Sequence, residues 1–331
     1  MHKATAGAGS NIAFVKYWGV RHGGADPMVP LNPSISMTLE EVRTTTTVAF
    51  EPGAAGDLFT LNGSPATADE LRRVGRVLDA VRRRAGMRRF ARVVSSNNFP
   101  TAAGIASSAS GFAALALAAA RAAGLPYEPP DLVEPALLGS GSACRSLYGG
   151  YVLWQPPAAG RRESTVREVA PREHWPLADL VVIVSRKEKR VKSSEGHLLA
   201  RTSPFLRARL AQVEGRIARV ERAIFERDLR ALGEVMEADA LSMHAVMMTS
   251  TPALLYWQPA TVAVIEKVQA LRAADALACY FTIDAGPNVH VITAPETARA
   301  AEQEIRRIEG VEQILSCSTG EAPRLLQEHL F

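Results

Sequence analysis

The chain has 331 residues, 47% of them hydrophobic, and a formal net charge of +4. A chain of this length can bury a large core and is expected to form two domains. The positive bias suits anionic small molecules and is too mild to indicate nucleic acid. Three scattered cysteines without a Cys-x-x-Cys spacing indicate neither a disulfide framework nor a zinc site. No signal peptide or membrane-length apolar run is found, so a soluble cytoplasmic protein is expected.

The first half of the chain mixes strand and helix patterns. Hydrophobic periodicity predicts strands at 11–17, 45–50, 92–94 and 149–154, with helices at 71–85 and 112–123. A turn-rich polar stretch at 155–163 then precedes a buried strand at 180–184. We therefore expect an N-terminal domain at 1–178 and a C-terminal domain at 179–331.

The second half continues the irregular mixture. Helices are predicted at 206–231, 232–248, 260–273 and 297–308, with hairpin strands at 278–283 and 289–292. Because strands and helices do not alternate regularly, the pattern favours an α+β fold over a parallel α/β sheet.

Residues 97–111 are the most informative segment of the chain. They read Asn-Asn-Phe-Pro-Thr-Ala-Ala-Gly-Ile-Ala-Ser-Ser-Ala-Ser-Gly and lead into an alanine-rich helix. A helix N-terminus presents unpaired N–H groups and a partial positive charge, and small residues let an anion reach them. The segment predicts a phosphate cradle at Gly104, Ala106, Ser107 and Ser108, although the N-cap of an ordinary core helix is the alternative. The Walker spacing is absent.

Three charged residues stand out by their surroundings. Lys16 follows an apolar run, where an ammonium group is costly unless it is paired, although it could snorkel from an edge strand. Arg145 ends a small-residue loop and suits a carboxylate or phosphate, but could equally be a surface residue. Asp284 lies in a tight turn, where it could either serve only the turn or orient a hydroxyl group.

Further polar segments allow both bland and functional interpretations. Hydroxyl residues alternate with apolar ones over 30–39, as in a half-buried strand or a pocket wall. The basic run 186–197 predicts a solvated loop or an electropositive rim for an anionic substrate. His197 and His244 lack ligand spacing, so no metal site is predicted.

These segments occur together and in order, and they resemble one family. Lys16-Tyr-Trp-Gly, Asn32-Pro-Ser-Ile-Ser, Gly139-Ser-Gly-Ser-Ala-Cys-Arg-Ser and Asp284-Ala-Gly-Pro-Asn are similar to motifs of the diphosphomevalonate decarboxylases. That family belongs to the GHMP kinase superfamily. The likeness spans about residues 8 to 295 and implies a ribosomal-protein-S5-like N-terminal half with a ferredoxin-like C-terminal half.

The resemblance also implies an activity and residue roles. ATP with Mg2+ would phosphorylate the 3-hydroxyl of a phosphorylated mevalonate, and loss of phosphate and CO2 would give an isopentenyl product of the mevalonate pathway of isoprenoid biosynthesis. Asp284 would orient or deprotonate that hydroxyl, Lys16 would lie beside it, and Arg145 would hold the departing carboxylate. The implied nucleotide residues are Ser96, Asn97, Asn98, Gly104, Ala106, Ser107 and Ser108. The implied substrate residues are Tyr17, Ser140, Ser142, Arg145, Lys192, Ser193, Ser194 and His197.

Two departures from the family pattern bear on the substrate. Val20 stands where relatives commonly carry a lysine, and Ser194 stands where some bacterial relatives carry an arginine, both directed to the substrate diphosphate. His197 also replaces a common methionine. Fewer cations favour 5-phosphomevalonate, giving isopentenyl phosphate, over 5-diphosphomevalonate, although Arg21, Arg190 or Lys192 could supply the charge.

Other functions are weighed against this one. A small-molecule kinase without decarboxylation is disfavoured because Lys16, Arg145 and Asp284 are all retained. A non-catalytic binding module is expected to lose the phosphate loop or Asp284. A nucleic-acid binder is disfavoured because no aromatic residues interleave the basic run. The family also suggests a homodimer.

Overall fold

The computed structural model describes residues 3–21, 29–99, 107–157, 163–187 and 189–331. Within those ranges the chain forms two sheets with helices packed against them. The strands are β1 (Lys3–Val15), β2 (Ser34–Glu51), β3 (Leu58–Leu61), β4 (Ser64–Pro65), β5 (Phe90–Asn97), β6 (Tyr151–Gln155), β7 (Thr165–Ala170), β8 (Ala178–Ile183), β9 (Cys279–Thr282), β10 (Val289–Thr293), β11 (Gln313–Ser318) and β12 (Arg324–Leu326). The helices are α1 (Ala68–Ala85), α2 (Ser107–Ala122), α3 (Pro129–Gly139), α4 (Ser193–Leu199), α5 (Leu206–Glu226), α6 (Leu229–Met248), α7 (Pro259–Ala273) and α8 (Pro295–Ile305), with a 3₁₀ helix at Gly141–Leu147.

The first sheet is built on two long antiparallel strands. Its order is β12-β1-β2-β5-β3-β4, and β6 joins the early part of β2 and carries β7. The alanine-rich α2 lies across β1 and β2, and most of its residues are buried. Small alanine side chains allow this close approach of helix to sheet, so the predicted helix is confirmed as a core element.

Helix α1 shows how local sequence sets its two ends. Thr67 and Glu70 form a reciprocal capping box, which satisfies N–H groups that the first turn leaves unpaired. Gly86 ends the helix in the left-handed conformation, where a residue without Cβ is unstrained. The helix therefore begins three residues before the predicted start.

The second sheet has the order β11-β8-β10-β9, and all its neighbours are antiparallel. This is the arrangement of a ferredoxin-like sheet, as the resemblance implies. Core residues of α7 and α8 cover one face, while those of α5 and α6 pack on the other. The α+β fold is thus confirmed.

Some predicted boundaries were wrong. The predicted helix at 206–231 ends at Glu226, because Arg227 adopts the left-handed conformation and Asp228 caps the next helix. Strand β1 ends at Val15, so Lys16 and Tyr17 lie beyond the strand in which they were predicted. Among the described residues, no helix is long and apolar enough to cross a membrane.

Strand β1 approaches β2 closely at Gly9, where the register shifts before Asn11. A Cβ at Gly9 would lie 2.2 Å from the carbonyl oxygen of Leu39, whereas a Cβ at Gly75 in α1 would meet nothing within 4 Å. We expect Gly9→Ala to lower the free energy of unfolding by about 1–3 kcal/mol through overpacking.

The matched control is Gly75→Ala, which should raise the free energy of unfolding by about 0.5–1 kcal/mol through helix propensity. Urea unfolding of both variants checks the prediction. Equal stabilities for the two alanine variants would contradict the close approach of the strands at Gly9.

Candidate active site

The site is centred on an ion pair between two residues that are far apart in sequence. Lys16 lies just past the end of β1, and Asp284 lies in the turn after β9. The Lys16 Nζ donates to Asp284 Oδ1 at 2.7 Å and to the Ala13 carbonyl oxygen at 2.7 Å. The Lys16 side chain is 3% exposed and that of Asp284 is 31% exposed. The lysine is therefore held inside the protein, while the carboxylate still reaches solvent or a ligand.

Burial and the neighbouring charges have opposite effects on the pKa values of this pair. Burial raises the pKa of the Asp284 carboxyl, but the charge of Lys16, its hydrogen bond to the carboxylate and the charge of Arg145 oppose this effect, and the pKa lies below its ordinary value. Burial lowers the pKa of the Lys16 ammonium, against the attraction of Asp284. A carboxylate that stays ionised beside a fixed ammonium can orient a hydroxyl group and accept its proton.

Arg145 lies on the 3₁₀ helix and is buried within the same site. Its Nη1 donates to Ser34 Oγ at 2.6 Å, and its Nη2 donates to Asn11 Oδ1 at 3.1 Å. Its Nε has no hydrogen-bond partner among the described residues. Asn11 in turn donates to Ser146 Oγ at 2.8 Å. These contacts fix a guanidinium group that can still receive an anion.

A chain of serine hydroxyls connects this guanidinium region to the start of α2. Ser108 Oγ lies 3.1 Å from Ser140 Oγ, which lies 3.3 Å from Ser142 Oγ. The Tyr17 ring lies 5.8 Å from the Arg145 guanidinium, and burial raises the pKa of Tyr17 to about 12. The predicted residues Tyr17, Ser108, Ser140 and Ser142 therefore lie in one connected region.

A cleft opens at the N-terminal end of α2, between that helix, α1 and the end of β5. Ser107 and Ser108 line it, as predicted for the nucleotide side, together with Asn97. Its remaining lining residues are Thr44, Phe59, Leu61, Glu70, Arg73, Val74, Ser95, Gly111, Phe112 and Leu115. Gly104 and Ala106, also predicted there, lie outside the described residues.

Of the predicted nucleotide residues Ser96, Asn97 and Asn98, only Asn97 lines this cleft. Side chains alternate between the two faces of a strand, and Ser95 and Asn97 point toward the cleft while Ser96 is exposed. The Asn98 side chain accepts from the Arg43 N–H at 2.8 Å and donates to the Glu41 carbonyl at 2.8 Å. Ser96 and Asn98 therefore do not line this cleft.

His197 packs against Tyr17, Trp18 and Gly19, which follow β1. Its ring stacks on Tyr17 at 4.8 Å and lies 4.3 Å from Trp18, and its Nδ1 accepts from the Gly19 N–H at 3.1 Å. Burial lowers the pKa of His197 to about 4, so the ring is neutral at pH 7. Its contacts support the backbone that presents Tyr17.

The positions that depart from the family pattern lie near exposed cations. Val20 is buried, and its carbonyl oxygen accepts from Arg201 Nε at 3.3 Å. Lys192 immediately precedes α4 and, like Ser194, is exposed, and Ser193 is half-buried. Sequence reasoning missed Arg201, which lies beyond the basic run.

Sequence reasoning also missed Lys189 and the residues that hold the central pair. The Lys189 Nζ lies 5.8 Å from the centroid of the Tyr256 ring. Burial lowers the pKa of Lys189, and the negative charge of Asp284 opposes this shift. Asp239 accepts from the Lys16 N–H at 2.8 Å, and His244 donates to the Asp284 carbonyl at 2.9 Å. The density of the basic run was the only signal for Lys189.

Known proteins show the same organisation. Residues 8–166 match the diphosphomevalonate decarboxylase-like N-terminal domain, and residues 179–317 match the mevalonate 5-diphosphate decarboxylase C-terminal domain. The diphosphomevalonate decarboxylase of Homo sapiens is 38% identical over 315 residues, covering 88% of this chain and 77% of its own. That of Aspergillus fumigatus is 37% identical over 335 residues, covering 94% and 81%.

Solved structures agree. Mevalonate diphosphate decarboxylase from Staphylococcus aureus superimposes with a TM-score of 0.90 at 35% identity, covering 98% of each chain. MDDEF in complex with MVAPP, AMPPCP and magnesium gives 0.90 at 36% identity, covering 98% of this chain and 99% of its own. The fold and site define an α+β enzyme of the GHMP kinase type. More narrowly, the chain belongs to the diphosphomevalonate decarboxylase family.

The central carboxylate gives a direct test of the site. We expect Asp284→Asn to lower kcat by about 10²–10⁴-fold, because the amide keeps the shape but cannot accept a proton. Steady-state turnover and circular dichroism should be measured together. The matched control is Asp69→Asn on the exposed start of α1. An Asp284→Asn variant with wild-type kcat would place the chemistry elsewhere.

Proposed function

We propose that this protein is an ATP-dependent decarboxylase that acts on 5-diphosphomevalonate and yields isopentenyl diphosphate. The observation that carries the proposal is the Lys16–Asp284 ion pair beside the buried Arg145, in a chain that matches the family over both halves. The substrate follows the names of the relatives, which are diphosphomevalonate decarboxylases.

The proposed reaction has two stages. The γ-phosphoryl group of ATP is transferred to the tertiary 3-hydroxyl, which gives ADP and turns a poor leaving group into a good one. The C–O bond then breaks with loss of phosphate, and the electron pair of the bond to the carboxyl carbon forms the new double bond as CO2 departs. Mg2+ would accompany the nucleotide phosphates and neutralise charge in the transfer.

Each central side chain has a part that suits its surroundings. Asp284 orients the 3-hydroxyl and takes its proton, and Lys16 fixes that carboxylate and keeps it ionised. Arg145 holds the substrate carboxylate until decarboxylation, since a guanidinium group binds carboxylates in a planar, two-pronged geometry. The negative charge on the departing phosphate is stabilised by groups that are fixed in place before the reaction, which is an effective form of catalysis.

The nucleotide is proposed to lie at the cleft beside the start of α2. Ser107 and Ser108 stand at the helix N-terminus, where the unpaired N–H groups favour phosphate. The Arg73 guanidinium lies 4.7 Å over the Phe112 ring in the same wall and donates to the Gly139 carbonyl. The serine hydroxyl chain from Ser108 leads from this cleft toward Arg145, so the two ligands would meet there.

The diphosphate is favoured over the monophosphate expected from the sequence, because the relatives are named for the diphosphate and a cation lies beside Val20. Arg201 is exposed, and its Nε is bonded to the Val20 carbonyl. It can bring positive charge to the region where relatives use a lysine. The monophosphate is the second candidate, since Val20 and Ser194 themselves are uncharged.

Quaternary structure, location and domain division are part of the proposal. We place the division at 178/179, at the start of β8, the first strand of the ferredoxin-like sheet along the chain, and expect a cytoplasmic homodimer. Sedimentation velocity of the purified protein tests the dimer, and expression of residues 179–331 alone tests the division.

The proposed function predicts coupled products. With ATP, Mg2+ and 5-diphosphomevalonate, ADP and CO2 should appear at equal rates, and kcat/KM should exceed that for 5-phosphomevalonate. The two substrates should be compared side by side in one assay. A higher kcat/KM for the monophosphate selects the second candidate, and ADP without CO2 from either substrate contradicts decarboxylation.

The terminal phosphate contact has its own test. We expect Arg201→Met to raise KM for the diphosphate by about 10–100-fold, the value of one charge-assisted contact, while changing kcat little. The control is Arg219→Met, at an exposed arginine on α5. If Arg201→Met leaves the KM unchanged, Arg201 does not replace the missing lysine.

A further inference from the structure

Helix α6 contacts the backbone of both members of the central ion pair. Asp239 Oδ2 accepts the Lys16 backbone N–H at 2.8 Å, and His244 Nε2 donates to the Asp284 backbone carbonyl at 2.9 Å. The carbonyl oxygen can only accept, so His244 carries its proton on Nε2. The two helix residues are five positions apart, about 7.5 Å along the axis. One rigid element therefore reaches both partners.

Arg209 on α5 completes the contact at Lys16. It donates to both carboxylate oxygens of Asp239, at 2.8 and 3.2 Å, and its Nη2 also donates to the Lys16 carbonyl at 2.7 Å. The Arg209 and Asp239 side chains are 1% and 0% exposed. One buried ion pair thus binds both the N–H and the carbonyl of Lys16.

The location of these contacts argues for a role beyond stability. Strand β1 ends at Val15, so the peptide groups of Lys16 lie beyond the end of the ladder and still need partners inside the protein. A buried ion pair is weak evidence for stability, since apolar residues of similar volume often serve as well. Here it fixes the lysine backbone against the element that also holds Asp284.

We propose that Asp239, Arg209 and His244 are positioning residues that set the distance and orientation of Lys16 relative to Asp284. The proposal rests on the proposed function for its kinetic readout. It predicts that weakening either contact lowers kcat while substrate binding changes little, because Arg145, Tyr17 and the serine hydroxyls remain in place.

The charge of Asp239 adds a readout that a purely structural contact would not give. Asp239 raises the pKa of the Lys16 ammonium, so its loss should lower that pKa. The charged or titratable groups around Lys16 and its partners include Asp284, Asp239, Arg145, Arg209, Arg216, Lys189, Tyr17 and His244. His244 is neutral above pH 5, since burial lowers its pKa to about 4. The expected shift therefore reports the Asp239 charge.

The first experiment compares Asp239→Asn with Glu234→Gln, an exposed acid on the same helix. Asp239→Asn should lower kcat by roughly 30-fold or more with KM within threefold, a loss of about 2 kcal/mol at 1.36 kcal/mol per tenfold. The basic limb of its kcat–pH profile should move to lower pH, and Glu234→Gln should change neither. Unchanged kcat, or an unmoved basic limb, overturns the role of Asp239.

A second pair of variants keeps the test valid if Asp239→Asn does not fold. His244→Gln retains an N–H donor near the Nε2 position, whereas His244→Leu removes it. We expect His244→Gln to keep most of the kcat and His244→Leu to lose at least tenfold, again at nearly constant KM. Equal kcat for the two variants overturns the role of His244.

A measurement without turnover separates this proposal from the proposed function. The Lys16 ammonium can be titrated by NMR of protein labelled with 15N at lysine Nζ, with Lys16→Met supplying the assignment. A lower Lys16 pKa in Asp239→Asn supports the positioning network even if the wild-type protein turns over neither mevalonate phosphate. An unchanged Lys16 pKa contradicts the network even in an active enzyme.

Discussion

The Lys16–Asp284 ion pair is the constraint on which the rest of the site depends. Its partners are 268 positions apart, and the lysine lies almost wholly inside the protein. An ammonium group so placed is costly unless its charge is met, so the end of β1 and the turn after β9 must dock at this point. Helix α6 hydrogen-bonds to the backbone of both Lys16 and Asp284, and these contacts fix the relative position of the two segments. The reactive geometry is therefore a property of the whole fold rather than of one loop.

The polar interior around this pair explains why so many hydroxyl and amide residues are buried near it. Arg145 donates to both Asn11 and Ser34, and the serine hydroxyls extend the network toward α2. Buried polar networks are stable only when their members are satisfied, and a satisfied network is rigid. A rigid network stabilises charge that develops on the substrate, because donors that are already fixed in place need no rearrangement during the reaction. Arg145 keeps one unpartnered N–H among the described residues, which is consistent with an anion as its further partner.

The sequence predicts the local chemistry of a loop or turn better than it predicts which face of a strand meets a cleft, or which distant residues hold the site in place. The start of α2 and the turn at Asp284 depend on neighbouring residues, so their patterns are readable. Ser96 and Ser95 differ only in the parity of β5, and no local pattern reveals which face meets the cleft. Asp239 and His244 lie in a helix whose polar positions look like any solvated face, because their partners are some 220 and 40 residues away. Only the folded chain brings these residues together.

Substrate charge illustrates the same limit at the edge of the site. The inference from Val20 and Ser194 treats a cation as a property of one position, yet long arginine and lysine side chains deliver charge several ångströms from their own backbone. Arg201 follows the C-terminal end of α4 and donates to the Val20 carbonyl. A cation can therefore come from a different position in the sequence while the buried centre is retained. Lys16 and Asp284 are held by short contacts to each other, and Arg145 is held by short contacts to Ser34 and Asn11, so these three residues cannot be exchanged in this way. The buried residues at the centre of the site thus constrain the reaction. The choice between a monophosphate and a diphosphate depends instead on exposed cations at the edge of the site, whose positions are hard to predict from sequence alone.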